Sequence, residues 1–237
     1  MRRVLVEVGL IVAVLAAIGS QFASAAAEHS LDDALAKMDQ AAAHFKGLSA
    51  NVRYGSHMEA IHEDDAETGT MLVKRPKPKD LHVKISIEKP DVKVAVTDGN
   101  EVKVYYPSSG EIDKISLKDK RSLVGMIMAL GFGGTSKELK TSYDVQLSGT
   151  ETVAGESTTR LELTPKSPEL LEQWKRIELW ISDKSGYAVQ QKFYDRGKDY
   201  TVITYTNVQM NPEIPDSAFN LDAPKGTPVQ PLNSKKK

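Results

Sequence analysis

Histidine and acidic residues around position 60 are the most obvious candidates for chemistry in this chain. His57, Glu59 and His62 are followed by an acidic run at residues 63–65, and imidazole and carboxylate groups are common ligands of divalent metals. In an extended strand, however, His57 and His62 point to opposite faces, so one ion cannot easily bind both. Metal sites also require strict ligand geometry. We therefore interpret this stretch as a solvated strand face with an acidic hairpin tip, and we expect no metal.

Signatures of catalysis are missing from the sequence. It contains no cysteine, which excludes disulfides, thiolate metal sites and cysteine nucleophiles. It has no G-x-S-x-G or H-E-x-x-H motif, and all five histidines lie within the first 82 residues. Residues 131–137 are rich in glycine but do not follow the G-x-x-x-x-G-K-[ST] order of a phosphate loop. We expect a protein that is not an enzyme and uses no cofactor.

The first residues predict export. Met1-Arg2-Arg3 is followed by an apolar run at residues 4–18 and by small residues up to Ala25, which is typical of a secretory signal peptide over residues 1–25. The apolar run is shorter than the ~20 residues that a membrane-spanning helix needs, so we favour cleavage over an uncleaved anchor. The mature protein is then expected to be soluble and exported.

The rest of the chain predicts one domain over residues 26–230 and a mobile basic tail over residues 231–237. The 31 basic and 32 acidic residues nearly cancel, which gives no electrostatic reason to expect nucleic-acid binding. The three terminal lysines could contact anionic lipid, but we interpret them as a solvated end.

Alternating apolar and polar residues predict antiparallel strands. The pattern runs through residues 81–88, 92–97 and 102–106, and Asp98-Gly99 provides a tight turn between the last two segments. Similar segments separated by short polar turns follow almost to the C-terminus. We therefore predict an α+β protein built on an antiparallel sheet that has one apolar face and one polar, solvent-exposed face.

Three segments of the sequence predict helices. Residues 30–46 are amphipathic and have Ser30 as an N-cap, and residues 167–174 begin with a Ser-Pro start signal. Residues 121–132 are apolar on nearly all sides, so they are either buried or cover an apolar ligand. The glycines that follow could act as a hinge, or they could simply be the exit from a buried helix.

Six short motifs, in this order and spacing, resemble the periplasmic outer-membrane lipoprotein carrier proteins, the LolA-like family. The motifs are Val-Lys-Arg-Pro at 73–76, Val-Thr-Asp-Gly at 96–99, Tyr-Tyr-Pro at 105–107, Leu-Thr-Pro-Lys at 163–166, Phe-Asn-Leu at 219–221 and Pro-Lys-Gly-Thr-Pro-Val at 224–229. The likeness spans nearly the whole of the predicted mature chain. The helix at residues 167–174 and the scarcity of aromatic residues depart from the family pattern, and they leave the cargo open.

This resemblance implies a fold and a function. The fold would be a curved antiparallel sheet, an unclosed barrel with helices lying across its concave face as a lid. The function would be to bind the acyl chains of lipoproteins, or a related envelope lipid, and to move them towards the outer membrane. The implied partners are an inner-membrane lipoprotein-releasing transporter and an outer-membrane acceptor, and we expect a monomer. The alternative on the same fold is an envelope-stress signalling regulator that binds the periplasmic domain of a membrane protein.

The resemblance also suggests which residues would form the site. Arg75 matches an arginine that, in the family, hydrogen-bonds the lid and holds the empty carrier closed; otherwise it is an exposed arginine before a turn-forming proline. The acyl cavity and lid would be lined by Leu35, Met38, Leu72, Val83, Ile85, Val94, Val96, Val104, Leu123, Met126, Ile127, Leu130 and Phe132.

Overall fold

The computed structural model describes residues 30–61, 63–77, 80–98, 101–116 and 130–231. Within these ranges the chain forms three α-helices, one short 3-10 helix and twelve β-strands. None of these helices has the length and hydrophobicity needed to cross a membrane.

Some predictions concern residues outside these ranges. They are the signal peptide at residues 1–25, all but the first residue of the basic tail, and the apolar lid residues Leu123, Met126 and Ile127. These stay predictions.

The longest helix forms where the amphipathic pattern predicts it. Helix α1 (Leu31–His44) begins after Ser30, whose hydroxyl accepts a hydrogen bond from the Asp33 backbone N–H at 3.0 Å. It buries Ala34, Leu35, Met38 and Ala41. This buried stripe recurs every three to four residues, as expected for a helix that lies with one face on a sheet.

Two shorter helices flank the second half of the sheet. Helix α3 (Pro168–Gln173) confirms the predicted Ser-Pro start, because the Ser167 hydroxyl accepts from the Leu170 N–H. Helix α2 (Ser136–Ser142) was not predicted, although Thr135 and Glu138 form a reciprocal capping box at its start.

The twelve strands form a single sheet. They are β1 (Gly47–Met58), β2 (Glu63–Lys77), β3 (Asp80–Lys89), β4 (Lys93–Asp98), β5 (Glu101–Tyr106), β6 (Glu111–Ser116), β7 (Tyr143–Val153), β8 (Glu156–Pro165), β9 (Arg176–Ser182), β10 (Ala188–Tyr194), β11 (Tyr200–Met210) and β12 (Val229–Pro231).

The strand order explains why the sheet stays open. It runs β12-β6-β5-β4-β3-β2-β1-β11-β10-β9-β8-β7, and β7 and β12 are the two edges. All neighbouring strands are antiparallel except β12, which pairs with β6 in parallel. The predicted α+β fold with an unclosed antiparallel sheet is therefore confirmed.

The two faces of the sheet are covered by different parts of the chain. We call the face that carries α1 the inner face; Leu48, Val73 and Val83 lie on it in one cross-strand row. The opposite, outer face is crossed by residues 211–228 between β11 and β12. Lys74 and Lys84 hold this segment by donating hydrogen bonds to the carbonyls of Ile214 and Asn220, both within 3.0 Å.

Candidate functional site

The inner face is largely apolar, although the buried Asp113 of β6 lies directly opposite Val104, and the degree of burial changes along it. Beneath α1, on strands β1, β2 and β8–β11, the inner-face side chains form the protein core. The most deeply buried are Leu48, Val73, Leu161, Leu163, Ile177 and Leu179, each with 0% of its surface exposed. Leu35 and Met38 of α1 pack into the same cluster. This region is filled by the protein's own side chains.

On strands β3–β6 the apolar inner face remains partly exposed. Ile85, Ala95 and Val104 are directly opposite one another on three adjacent strands, so their side chains form one row. Val102 and Ile115 form a parallel row next to it. All five are partly exposed, and we call them the inner strip. Val83, at the border with the core, is buried.

Three residues predicted to line the cavity lie on the other side of the sheet. Leu72 and Val96 are both paired with Lys84, and Val94 is paired with Ser86, which places all three on the outer face. Val83, Ile85 and Val104 lie on the inner face, so one cavity cannot be lined by all six residues. The prediction was wrong for Leu72, Val94 and Val96 because valine and leucine occur on both faces of this part of the sheet.

Residues 130–135 cross the inner face next to α1. Leu130 and Phe132 are buried, and the Phe132 ring packs edge-on against Tyr205 with ring centroids 4.8 Å apart. The Gln191 amide donates to the Leu130 carbonyl, and the Ala188 N–H donates to Gly131 at 3.1 Å. The segment is thereby fixed to β10 and β11 at its beginning.

Arg75 on β2 holds the same segment from the opposite side. Its Nη1 donates to the Gly133 carbonyl at 3.1 Å, and its guanidinium lies 4.9 Å from the centroid of the Phe45 ring. Burial lowers the pKa of Arg75 below its ordinary value, and the nearby Glu138 carboxylate opposes this shift. The geometry suits a latch, although the role itself stays a prediction.

Gly133 makes the approach of Arg75 possible. It has a φ of +76°, and a Cβ built on it would lie 2.5 Å from Cδ1 of Phe45 and 2.7 Å from Nη1 of Arg75. A larger residue would therefore displace both the Phe45 ring and the guanidinium of Arg75. The glycine is needed here for close packing, whether or not it also acts as a hinge.

Further contacts tie α1 to its surroundings. Asp39 accepts hydrogen bonds from the backbone N–H of Ser136 at 2.7 Å and from its hydroxyl at 2.6 Å, which joins α1 to the start of α2. On the other side, the Tyr187 hydroxyl donates to the Ala41 carbonyl at 3.2 Å. Helix α1 is therefore joined both to the start of α2 and to the loop that precedes β10.

The histidine and acidic cluster forms ion pairs rather than a metal site. His57 contacts Asp64 through Nδ1 at 2.7 Å and Glu59 through Nε2 at 3.3 Å, and it stacks on Tyr200. These hydrogen bonds, first with Asp64 and then with Glu59, raise the pKa of His57. In the part of the chain that the structure describes, no group of three potential metal ligands occurs. His62 lies outside that part.

The sequence reasoning also missed several inner-face residues. Tyr54, Met71 and Val73 belong to this face by the register of β1 and β2, and Ile203 of β11 lies opposite Tyr54. Tyr54 remains 37% exposed. Alternation within β1 and β11 could have identified them, but only the pairing of β1 between β2 and β11 places them on the inner face.

Comparison with curated proteins identifies relatives. An outer-membrane lipoprotein carrier protein of Pseudomonas entomophila is 26% identical over 199 residues, covering 84% of this chain and 85% of the relative. One from Chromohalobacter salexigens is 27% identical over 143 residues. That match covers 60% of this chain and spans only 62% of the relative's length. A family profile described as an uncharacterized protein matches residues 91–200.

Comparison with solved structures supports the fold. The crystal structure of MucB superposes with a TM-score of 0.51 at 12% sequence identity, covering 80% of this chain and 62% of MucB. At this level of identity the likeness concerns the fold alone.

Proposed function

The chain is related to the outer-membrane lipoprotein carrier proteins, and from this premise we propose that it is a non-enzymatic periplasmic carrier of acylated cargo. It binds the acyl chains of a lipoprotein, or of a related envelope lipid, on the apolar inner face of its sheet. The observation that carries the proposal is the inner strip: Ile85, Ala95, Val102, Val104 and Ile115 present a connected apolar surface that is partly open to solvent.

The energetics suit such cargo. Transfer of an acyl chain from water to an apolar surface is worth about 0.8 kcal/mol per methylene, so a long chain gains roughly 10 kcal/mol in a matching groove. An apolar strip next to a filled core offers apolar surface to such a chain without any loss of the protein's own packing. No bond needs to be made or broken, in agreement with a chain that lacks catalytic motifs.

Arg75 supports the release of cargo. A carrier must give up its ligand, and a closed empty state lowers the apparent affinity by the free energy needed to open it. The contacts of Arg75 with Gly133 and Phe45 favour the closed arrangement of the segment over the inner face. The cargo then competes with these contacts, and a partner of higher affinity can take it over.

The likeness to MucB is the reason to test a second candidate function, that of a signalling regulator. It concerns the same fold in a protein that is not named as a lipoprotein carrier. A regulator would recognise a polypeptide, whereas a carrier needs the acyl chain. Binding of an acylated peptide and of the same peptide without its acyl chains separates the two functions, because equal affinities would favour the regulator.

A pair of matched substitutions tests where the acyl chain binds. Val104→Asp puts a carboxylate on the inner strip, and Val94→Asp makes the same change on the outer face of the neighbouring strand, where the side chain is also partly exposed. Because a buried charge without a partner is costly, Val104→Asp should weaken binding of a fluorescent acylated peptide by about tenfold or more. Val94→Asp should change it by less than about threefold.

The measurement is fluorescence anisotropy, with circular dichroism to verify that both variants are folded. Failure of the wild-type protein to bind the acylated peptide would refute the carrier function. Equal losses in the two variants would show that the inner strip is not the binding surface.

A further inference from the structure

The outer face carries a second candidate site that the carrier function does not use. An open cavity of about 490 Å³ lies where β8, β9 and β10 meet the turn between β10 and β11. Its described lining consists of Thr164, Lys175, Arg176, Tyr194 and Lys198. These residues present three cationic side chains and two hydroxyls. Register places Thr164, Arg176 and Tyr194 on the face opposite to the inner strip.

Arg176 is held in a fixed orientation at the wall of the cavity. Its guanidinium lies 4.0 Å from the centroid of the Tyr194 ring, and the Tyr194 hydroxyl donates to Glu178 at 2.9 Å. Stacking on an aromatic ring fixes the plane of a guanidinium and leaves its edge N–H groups available. The orientation needed to bind a planar pair of anionic oxygens is therefore already set.

The hydrogen-bonding capacity of Arg176 is not fully used. Its Nη atoms approach Glu162 at 3.4 Å and Glu178 at 3.7 Å, and its Nε atom has no partner. Charge-assisted Arg–carboxylate bonds are ordinarily about 2.7–2.9 Å long. Glu162 therefore accepts only a long hydrogen bond and Glu178 is more distant still, so a closer anion would form stronger hydrogen bonds with the guanidinium.

Two lysines add positive charge on the same cavity. The Lys175 ammonium donates to the carbonyl of Gly197, which is a neutral partner. Lys198 pairs with Glu59 at 2.8 Å, but Glu59 is not among the lining residues. Among the described residues no anionic side chain pairs with Lys175, so its ammonium can meet an anion in the cavity, and the Thr164 hydroxyl can donate a further hydrogen bond.

We propose that this cavity binds a phosphate group, either as a soluble phosphate or as the headgroup of a phospholipid. A tetrahedral phosphate matches a fixed guanidinium edge and two flexible ammonium groups better than a single carboxylate does, because it offers more acceptor oxygens to converging donors. The site lies on the opposite face from the inner strip and does not depend on the carrier function.

Titration of the full-length protein with inorganic phosphate at low ionic strength tests the site, with binding followed by NMR chemical shifts. Lys175→Gln removes one cation without disturbing an ion pair, and it should weaken phosphate binding by about fivefold or more. Lys184→Gln makes the same change in charge near the other end of β9 and should alter binding by less than about twofold. Arg176→Lys retains the charge but loses the planar fork, and it should also weaken binding.

Vesicle flotation distinguishes the two sources of phosphate. Binding to phosphatidylglycerol vesicles that is lost in Lys175→Gln would assign the site to a lipid headgroup. Binding of inorganic phosphate without vesicle binding would assign it to a soluble ligand. The proposal is overturned if the wild-type protein binds neither, if Lys175→Gln and Lys184→Gln behave alike, or if acetate binds as tightly as phosphate.

Discussion

The inner face of the sheet differs between its two halves. In the packed half, strands β1, β2 and β8–β11, the apolar side chains are buried beneath α1 and the segment at residues 130–135. In the open half, strands β3–β6, the inner-face residues Ile85, Ala95, Val102 and Val104 remain partly exposed. Both halves have the same alternation of apolar and polar residues. Alternation therefore identifies an apolar face but does not determine whether the protein itself fills the space above it.

The difference separates stability from binding. A face that is filled by the protein's own side chains contributes to folding and leaves no room for a ligand. A face that stays partly open contributes less to folding but keeps apolar surface for an external partner. The proposed carrier function requires this contrast, because the packed half stabilises the sheet while the open half offers its apolar surface to a ligand.

A Val→Ala substitution in each half should show the largest difference between the halves, measured as the loss in the free energy of unfolding. Val73→Ala removes two methyl groups from a position with 0% exposure and should lower the free energy of unfolding by about 2 kcal/mol. Val104→Ala in the open half should lower it by less than about 1 kcal/mol, because part of that surface is already hydrated. Urea denaturation measures both. Equal losses would mean that the two halves are packed alike.

Removal of the contact between β2 and the segment at residues 130–135 should have a smaller effect, on ligand exchange. Arg75→Leu eliminates the hydrogen bond to Gly133 and the contact with Phe45, so the closed empty state loses stability. Cargo should then bind a few-fold more tightly and leave more slowly, in line with a change of about 1 kcal/mol. Stopped-flow transfer of an acylated peptide to lipid vesicles measures the rate of release.

Arg53→Leu is the matched control for this experiment, since Arg53 is exposed on β1 and points to the outer face. The latch would be rejected if both variants released the peptide at the wild-type rate.

The smallest effect, on thermal stability, is expected at the β1–β2 hairpin, where His57 near the end of β1 contacts Asp64 of β2. Asp64 and Glu59 raise its pKa above the ordinary value of 6.5. A raised folded-state pKa means that the stabilisation is fully present below about pH 6.5 and is lost as the pH rises through the folded value. The melting temperature of the wild type relative to His57→Asn should therefore decline as the pH rises above about 6.5. A constant difference across this range would contradict the ion pairs.

Local features of the fold could be predicted because they depend on neighbouring residues. The Ser30 cap and the apolar stripe of α1, the Ser-Pro start of α3 and the alternation in β3 and β5 all follow from positions close together in the chain. The position of Arg75 before Pro76 was found through the family motif. Its contact with Gly133, 58 positions away, is a tertiary feature.

Other features depended on how separate strands align. Leu72, Val94 and Val96 looked equivalent to Val83, Ile85 and Val104, since each strand alternates by itself. The register between β2, β3 and β4 places the two sets on opposite faces. Helix α2 was missed for a different reason, because a seven-residue polar helix has no long apolar stripe to detect.

Period-2 alternation, turn residues and helix caps determined on their own that the chain forms an antiparallel sheet with an amphipathic helix. These signals come from steric and hydrogen-bonding preferences over a few residues, and they do not depend on contacts between distant parts of the chain. The tertiary structure alone decided which apolar residues share the inner face and which of them remain open to a ligand. Both depend on strand register and on where α1 lies, which are properties of contacts between residues far apart in the sequence.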